Sequence, residues 1–568
     1  MVESIQDCES GVGINLYVPD SQSLSSIPGP DSRESGFNRR VLASSFAAAL
    51  SALNFGWCVG EPNIPEAIIE QCLEGPQVFV NGFPTCLPMS STLWGLIVGL
   101  VALGALVGSL VAGHAADKFG RKTVLLVNNI FFIAGALLLS TSTTIAQLAV
   151  GRFVSGIGCG VASTVVATYN SECAPVKARG LLGTMLQLTV EIGIFLSQFI
   201  AIFLVQVPKW RILFGLSGGI SLIQVILFPM LPESPKFLVS HGRLTEAEHA
   251  LQFLRPNYDI TDEFNDMLLA RDPARVSQAD FVPAADRSMA SVNIAEKSSG
   301  DKPKINMDAS PEPSLVARSA YTPRSLGVMD ILRGRTPDII THSVFCTLFL
   351  MGFQQWTGAK GIVFYSTEIL TQVFKLNHDQ LAKIPNKPQL VTIGIAATGI
   401  VAVFLSMLLV DRLGRRRLLL LSTGGLTISC LVVVVGQTTG TGMLAVVAMF
   451  AYKIVYGLGM APIPWLAASE MVPYYALGTL SGMASALNWT MIFTIGMVFP
   501  HLAKGLHSYL FLPFAVLNML AFAVILLFMP ETKGKSIADI LRDHGRPIHF
   551  VFKHPWTRRT AAEPTTPA

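Results

Sequence analysis

The chain has 568 residues, of which 51% are hydrophobic and only 14% charged, with a formal net charge of +4. Soluble domains usually devote about a quarter of their residues to Asp, Glu, Lys and Arg, so the composition points into a bilayer and away from a soluble enzyme. The positive charge is spread over short loops between apolar stretches, a pattern of membrane topology and not of nucleic-acid binding.

Residues 1–40 are polar, carry Pro28 and Pro30, and lack the apolar core and small-residue cleavage site of a signal peptide. The first apolar stretch is therefore expected to double as the targeting signal. With a window of about 19 residues, apolar stretches follow near 41–60, 92–113, 123–143, 148–169, 182–206, 211–231, 339–357, 389–410, 417–436, 442–465, 479–502 and 508–529. They predict an all-α membrane protein with twelve transmembrane helices. Gly, Ser, Thr and Gln interrupt several of them, and a turn is expected to break or shift those around 339–370 and 442–470.

Arg39 and Arg40 at the first span, Lys118, Arg121 and Lys122 after the second, Lys177 and Arg179 after the fourth, and Arg412, Arg415, Arg416 and Arg417 after the eighth share one side. The positive-inside rule makes that side the cytosol and places both termini there. The outer 371–390 loop, with Lys375, Lys383 and Lys387, runs against the bias. Of the eight cysteines, Cys58, Cys159, Cys346 and Cys430 fall inside spans as small packing residues, and Cys72 and Cys86 share the first outer loop, where they can pair. No cysteine pair has zinc-ligand spacing near histidines, and neither metal nor cofactor is expected.

A polar stretch from Pro232 to Asp338 divides the spans into six and six, and the halves repeat one another. Gly113-His114-Ala115-Ala116-Asp117-Lys118-Phe119-Gly120-Arg121-Lys122 after the second span matches Asp411-Arg412-Leu413-Gly414-Arg415-Arg416 after the eighth. Glu172-Cys173-Ala174-Pro175, with Arg179-Gly180 beyond it, matches Glu470-Met471-Val472-Pro473. Pro232-Glu233-Ser234-Pro235-Lys236 matches Pro530-Glu531-Thr532-Lys533-Gly534. The expected organisation is an N-terminal tail (1–40), a six-helix bundle (41–231), a linker (232–338), a second pseudo-symmetric bundle (339–529) and a tail (530–568). Within the linker, Leu238, Leu244, Ala247, Leu251 and Leu254 predict an amphipathic helix over 236–256 that stops at Pro256, and 257–325 is expected to be disordered.

These motifs, together with Gly151-Arg152 in the fourth span, Gln354-Gln355-Trp356-Thr357-Gly358 and Phe364-Tyr365-Ser366 in the seventh, and Pro462-Ile463-Pro464-Trp465 in the tenth, resemble the sugar-porter family of the major facilitator superfamily. The resemblance covers about residues 41–245 and 330–535. The first span, Phe55-Gly56-Trp57-Cys58-Val59-Gly60-Glu61-Pro62-Asn63-Ile64-Pro65, looks more like a fungal vacuolar or general metabolite branch than like animal glucose carriers. The resemblance implies a secondary transporter of a hexose or related polyol, facilitative or proton-coupled, working by alternating access as a monomer in the plasma or vacuolar membrane. It also implies that Asp117, Arg121, Glu172, Arg179 and Glu233 form one cytosolic gate network and Asp411, Arg415, Glu470 and Glu531 the other. Where the second half should carry the counterpart of Arg179, this chain has Leu477 before Gly478.

By the same resemblance Gln187, Gln354, Gln355, Trp465 and Asn488 match sugar contacts, since amides both donate to and accept from hydroxyls. Three family contacts are missing: Lys360 and Gly399 stand where asparagines are expected, and Gly457 where glucose facilitators carry an acid. Glu61 and Glu191 add charges to the first and fifth spans, and a charge inside a bilayer usually faces a cavity and finds a partner. Arg152 stands where proton symporters of the family pair a cation with an aspartate, whose position here is Cys58. Glu61 is one helical turn further on the same face, so Glu61, with Arg152 or Lys360 near it, is a candidate for carrying a proton or a charged substrate group. Lys360 also admits an acidic cargo such as quinate or a sugar acid, and a non-transporting nutrient sensor is a further reading. The glycines of Gly156-Ile157-Gly158-Cys159-Gly160 lie within a span and suit close helix packing, as does Gly104-x-x-x-Gly108, not nucleotide binding.

Overall fold

A computed structural model describes residues 38–72, 77–80, 82–175, 179–204, 206, 209–271, 338–374, 386–472, 474–533 and 535. Its membrane helices are α1 (Arg39–Gly60), α3 (Ser91–Phe119), α4 (Arg121–Ser140), α5 (Ile145–Cys173), α6 (Arg179–Leu204), α7 (Trp210–Leu227), α11 (Asp338–Trp356), α12 (Ala359–Phe374), α13 (Lys387–Leu413), α14 (Arg415–Thr438), α15 (Gly442–Leu458), α16 (Ile463–Glu470), α17 (Tyr474–Leu506) and α18 (Leu512–Phe528). The seventh predicted span is the broken pair α11–α12, interrupted at Thr357-Gly358, and the tenth is α15–α16, interrupted at Gly459–Pro462. Both breaks fall where turn residues interrupt the apolar runs.

Local chemistry sets the helix starts. Asn38, Ser90 and Thr144 accept hydrogen bonds from backbone N–H groups of the first turns of α1, α3 and α5, and Asn386 forms a reciprocal capping box with Gln389 at α13. Large apolar side chains such as Val111, Ile130, Ile226, Phe404, Ile428 and Leu520 are at least half exposed on the outer helix faces, which suits lipid and not water. Inside, polar side chains join helices: Ser51 Oγ donates to Gln224 Oε1 (2.7 Å) and Asn54 Nδ2 to Ser221 Oγ (2.8 Å) between α1 and α7. Glycines bring α3 against α5 backbone to backbone. A Cβ at Gly104 would lie 2.0 Å from the Phe153 carbonyl oxygen and one at Gly160 2.0 Å from that of Ala105, so neither position accepts a side chain. The two halves pack on each other through α3 against α17 and α6 against α13.

Between α1 and α3, Cys72 and Cys86 form a disulfide, beside the short helix α2 (Glu66–Glu70) and a two-stranded hairpin of β1 (Phe79–Val80) and β2 (Phe83–Pro84). The segment after Ser234 is a separate unit with three helices, α8 (Pro235–Ser240), α9 (Leu244–Leu254) and α10 (Thr261–Arg271). The single helix expected over 236–256 is divided because Gly242 takes a left-handed φ of +77°. Part of the expected disorder is also corrected. Residues 261–271 are helical, with Ile260 and Phe264 packed on Phe237, Leu238, Ala247 and Leu251, and Arg255 paired to Glu263 at 3.1 Å. Residues 272–325 lie outside the described ones.

Candidate substrate-binding site

The motif repeat becomes a repeat of atoms. Arg121 pairs with Asp117 (3.1 Å) and Glu172 (3.0 Å) and donates to the Ala116 carbonyl (3.1 Å). Arg415 pairs with Asp411 (3.1 Å) and Glu470 (2.8 Å) and donates to the Val410 carbonyl (3.2 Å). Glu233 accepts from the Lys122 backbone N–H (3.0 Å), as Glu531 does from that of Arg415 (2.9 Å). Ser234 Oγ donates to Glu172 (2.6 Å), as Thr532 Oγ1 does to Glu470 (2.8 Å). Gly120 and Gly414, with φ of +94° and +88°, make the two tight turns that bring each arginine back under its own helix end. The side chains of Arg179 and Leu477 lie outside the described residues.

Away from these clusters, the two breaks are held together by amides. Gln354 Nε2 donates to the carbonyls of Met460 and Ala461 (2.8 Å each), tying α11 to the gap between α15 and α16. Gln354 Oε1 accepts from Asn488 Nδ2 (2.8 Å) and Gln355 Nε2 (3.2 Å), and Asn488 Oδ1 accepts from Gln355 Nε2 (3.1 Å). Gln354 is thus saturated. Gln355 Oε1 is buried without a partner among the described residues, an acceptor available to a hydroxyl. Trp465 is half-buried at the start of α16.

The charged candidates pair in an order that sequence only half foresaw. Arg152 Nη1 reaches both Glu61 Oε1 (2.7 Å) and the Cys58 carbonyl (2.8 Å), so one cation reads both positions on the α1 face. Glu61 Oε2 and Arg152 Nε and Nη2 have no hydrogen-bond partner among the described residues. Glu191 pairs with Lys453 across the two halves at 2.8 Å, with Gln187 Nε2 at 3.3 Å from its other oxygen. Lys360 makes neither of these pairs; its ammonium lies 5.9 Å from the centre of the Phe55 ring. Sequence reasoning passed over Lys453, although a lone lysine in the apolar run Tyr452-Lys453-Ile454 is the same signal that singled out Glu61. It also passed over Asn63, which links α1 to α12 by donating to Ser366 Oγ (3.0 Å) and accepting from Thr367 Oγ1 (2.6 Å).

A family model described as sugar (and other) transporter matches residues 44–292 and 281–543. The chain belongs to this family. It is 31% identical to human solute carrier family 2, facilitated glucose transporter member 5, over 88% of this chain and 91% of that protein. It is 28% identical to a probable metabolite transport protein of Saccharomyces cerevisiae, over 90% and 97% of the two chains. The proton:xylose symporter XylE, 20% identical, matches with a TM-score of 0.66 over 88% of this chain and 98% of that one, which gives the twelve-helix major facilitator fold. The protein is a multi-pass integral membrane protein.

Within this sugar-transporter fold, two of the three expected contacts that are missing have steric causes. A Cβ at Gly399 would lie 2.4 Å from Lys453 Cε and 2.8 Å from Glu191 Oε2, so an asparagine there would have to displace the ends of the Glu191–Lys453 pair. A Cβ at Gly457 would lie 2.6 Å from Ala402 Cβ, leaving no room for an acid between α13 and α15.

Proposed function

We propose that this protein is a secondary carrier of a sugar, a hexose or related polyol, working by alternating access and coupled to a proton through Glu61. The observation that carries the reading is the amide cluster at the broken helices, where Gln355 Oε1 is an open acceptor, together with the buried Glu61–Arg152 pair. Broken membrane helices are where carriers of this architecture place their binding sites. The names of the relatives, a facilitated glucose transporter and a proton:xylose symporter, support a sugar as cargo. In this reading Gln187, Gln355, Trp465 and Asn488 contact the sugar, Gln354 holds the cluster in place, and the two bundles, 41–231 and 339–529, rock about the site.

The Arg121 and Arg415 clusters then close the cytosolic side, opening and re-forming as the bundles move. The Cys72–Cys86 disulfide favours an oxidising, non-cytosolic location for the loop after α1, which supports cytosolic termini in the plasma or vacuolar membrane. The test is uptake by purified full-length protein in liposomes, across hexoses, polyols and sugar acids, with and without a pH gradient. Saturable uptake of at least one polyhydroxylated solute, driven by the gradient, is expected. Binding without transport of any of them would favour a sensor and overturn the proposal.

A further inference from the structure

Five charged side chains are buried at the C-terminal end of α1 and on α5, α6, α12 and α15: Glu61, Arg152, Glu191, Lys360 and Lys453, none more than 8% exposed. Three are cations and two are anions. Glu61 takes Arg152 and Glu191 takes Lys453, which leaves Lys360 with no ion pair or hydrogen bond among the described residues and only an aromatic face at 5.9 Å. A cation–π contact is a weak return for burying an ammonium. Helix electrostatics do not explain it either, because Lys360 sits in the first turn of α12, where a cation is disfavoured. The next carboxylate along the helix, Glu368, is eight residues on, about 12 Å of helix rise away. The site is therefore one anion short.

Helix α12, which carries Lys360, packs against α15, which carries Lys453 and through it the pair with Glu191, so the three groups lie on neighbouring elements. Glu191 comes from the first half of the chain, and both lysines from the second. The bare backbone at Gly399 gives the Lys453 side chain its passage to Glu191. A carboxylate already occupies one cation of this cluster, and a second carboxylate would satisfy the other. We propose that the cargo is a sugar bearing a carboxylate, held by Lys360 and Lys453, with Glu191 competing with the substrate carboxylate for Lys453. This deepens the sugar-carrier reading and rests on it. Gln355 Oε1 and Gln187 remain for the hydroxyls.

The experiment compares uptake of labelled D-glucuronate and D-glucose by the purified full-length protein in liposomes, for wild type, Lys360→Met, Lys360→Arg and Glu191→Gln. Loss of one charge-assisted contact predicts that Lys360→Met lowers the glucuronate-to-glucose ratio of kcat/KM by about tenfold or more. Lys360→Arg should retain most of the ratio, and Glu191→Gln should raise it by removing the competitor. Monodispersity on size exclusion checks that each variant folds. Glucose uptake without glucuronate uptake or competition, or a ratio that Lys360→Met leaves unchanged, overturns the proposal and leaves the sugar-carrier reading standing. Uptake of neither solute overturns the proposal, and the sugar-carrier reading falls with it only if the wider panel of hexoses and polyols is also not taken up.

Discussion

The space over Gly399 offers the sharpest test of how the buried charges fit together. In Gly399→Ala the new methyl carbon would start 2.4 Å from Lys453 Cε and 2.8 Å from Glu191 Oε2. Carbon atoms rest at about 3.5–4.0 Å, so the lysine stem must move by about 1 Å. The 2.8 Å ion pair then stretches or breaks. Overpacking of this kind costs about 1–3 kcal/mol, rising towards about 3–5 kcal/mol if the pair is lost and both charges stay buried. The same methyl in a Glu191→Ala/Lys453→Ala background enters space that both side chains have vacated, and should be neutral or stabilising. Thermal unfolding of the purified protein in detergent, followed by intrinsic fluorescence from its seven tryptophans, reads both comparisons. Equal destabilisation in the two backgrounds, or none in wild type, would refute the argument that Gly399 is glycine because Lys453 passes over it.

Three further outcomes follow from the sequence and the structure. Glu61→Gln removes the anion facing Arg152 at 2.7 Å and should abolish gradient-driven accumulation while sparing exchange of labelled substrate without a gradient; wild-type uptake that does not change across several pH values would remove the proton from the mechanism. Leu477→Arg supplies the cation that the second half lacks and should slow opening towards the cytosol, read as slower exchange and reduced labelling of engineered cytosolic-side cysteines; unchanged rates in both assays would count against a gating role. The Cys72–Cys86 bridge closes a loop of sequence separation 14, for which chain entropy predicts about 3 kcal/mol; reductant, or the double serine variant, should lower the unfolding midpoint, and an unchanged midpoint would show that the loop is held by other contacts.

What sequence made legible was whatever is encoded locally. Hydropathy places α1, α4 and α14 within a few residues because one apolar run is one span. The Asp117–Arg121 and Asp411–Arg415 pairs are i, i+4 neighbours, so their spacing is written in the chain, and their partners recur at matching distances in both halves. The Glu191–Lys453 pair is the opposite case. Its members are 262 residues apart, and nothing in either neighbourhood names the other. The linker shows a third kind of limit. Its apolar spacing runs through Gly242 without interruption, yet the chain turns there because a glycine accepts positive φ, and Phe264 in a polar stretch finds Phe237 and Leu251 only once that turn is made.

The residues at 191, 399 and 453 therefore act as a set. Lys453 on α15 takes its anion from Glu191 on α6, and a side chain at 399 would have to displace that pair. Replacing Gly399 by asparagine alone would drive a side chain into an ion pair, and replacing Lys453 alone would leave Glu191 as an uncompensated buried charge. Changing positions 191, 399 and 453 together avoids both costs. Lys360 stands outside that exchange, because no carboxylate among the described residues balances it. In the proposal the balancing charge is the cargo's carboxylate, and this is the physical reason to look for the cargo's charge before its ring size.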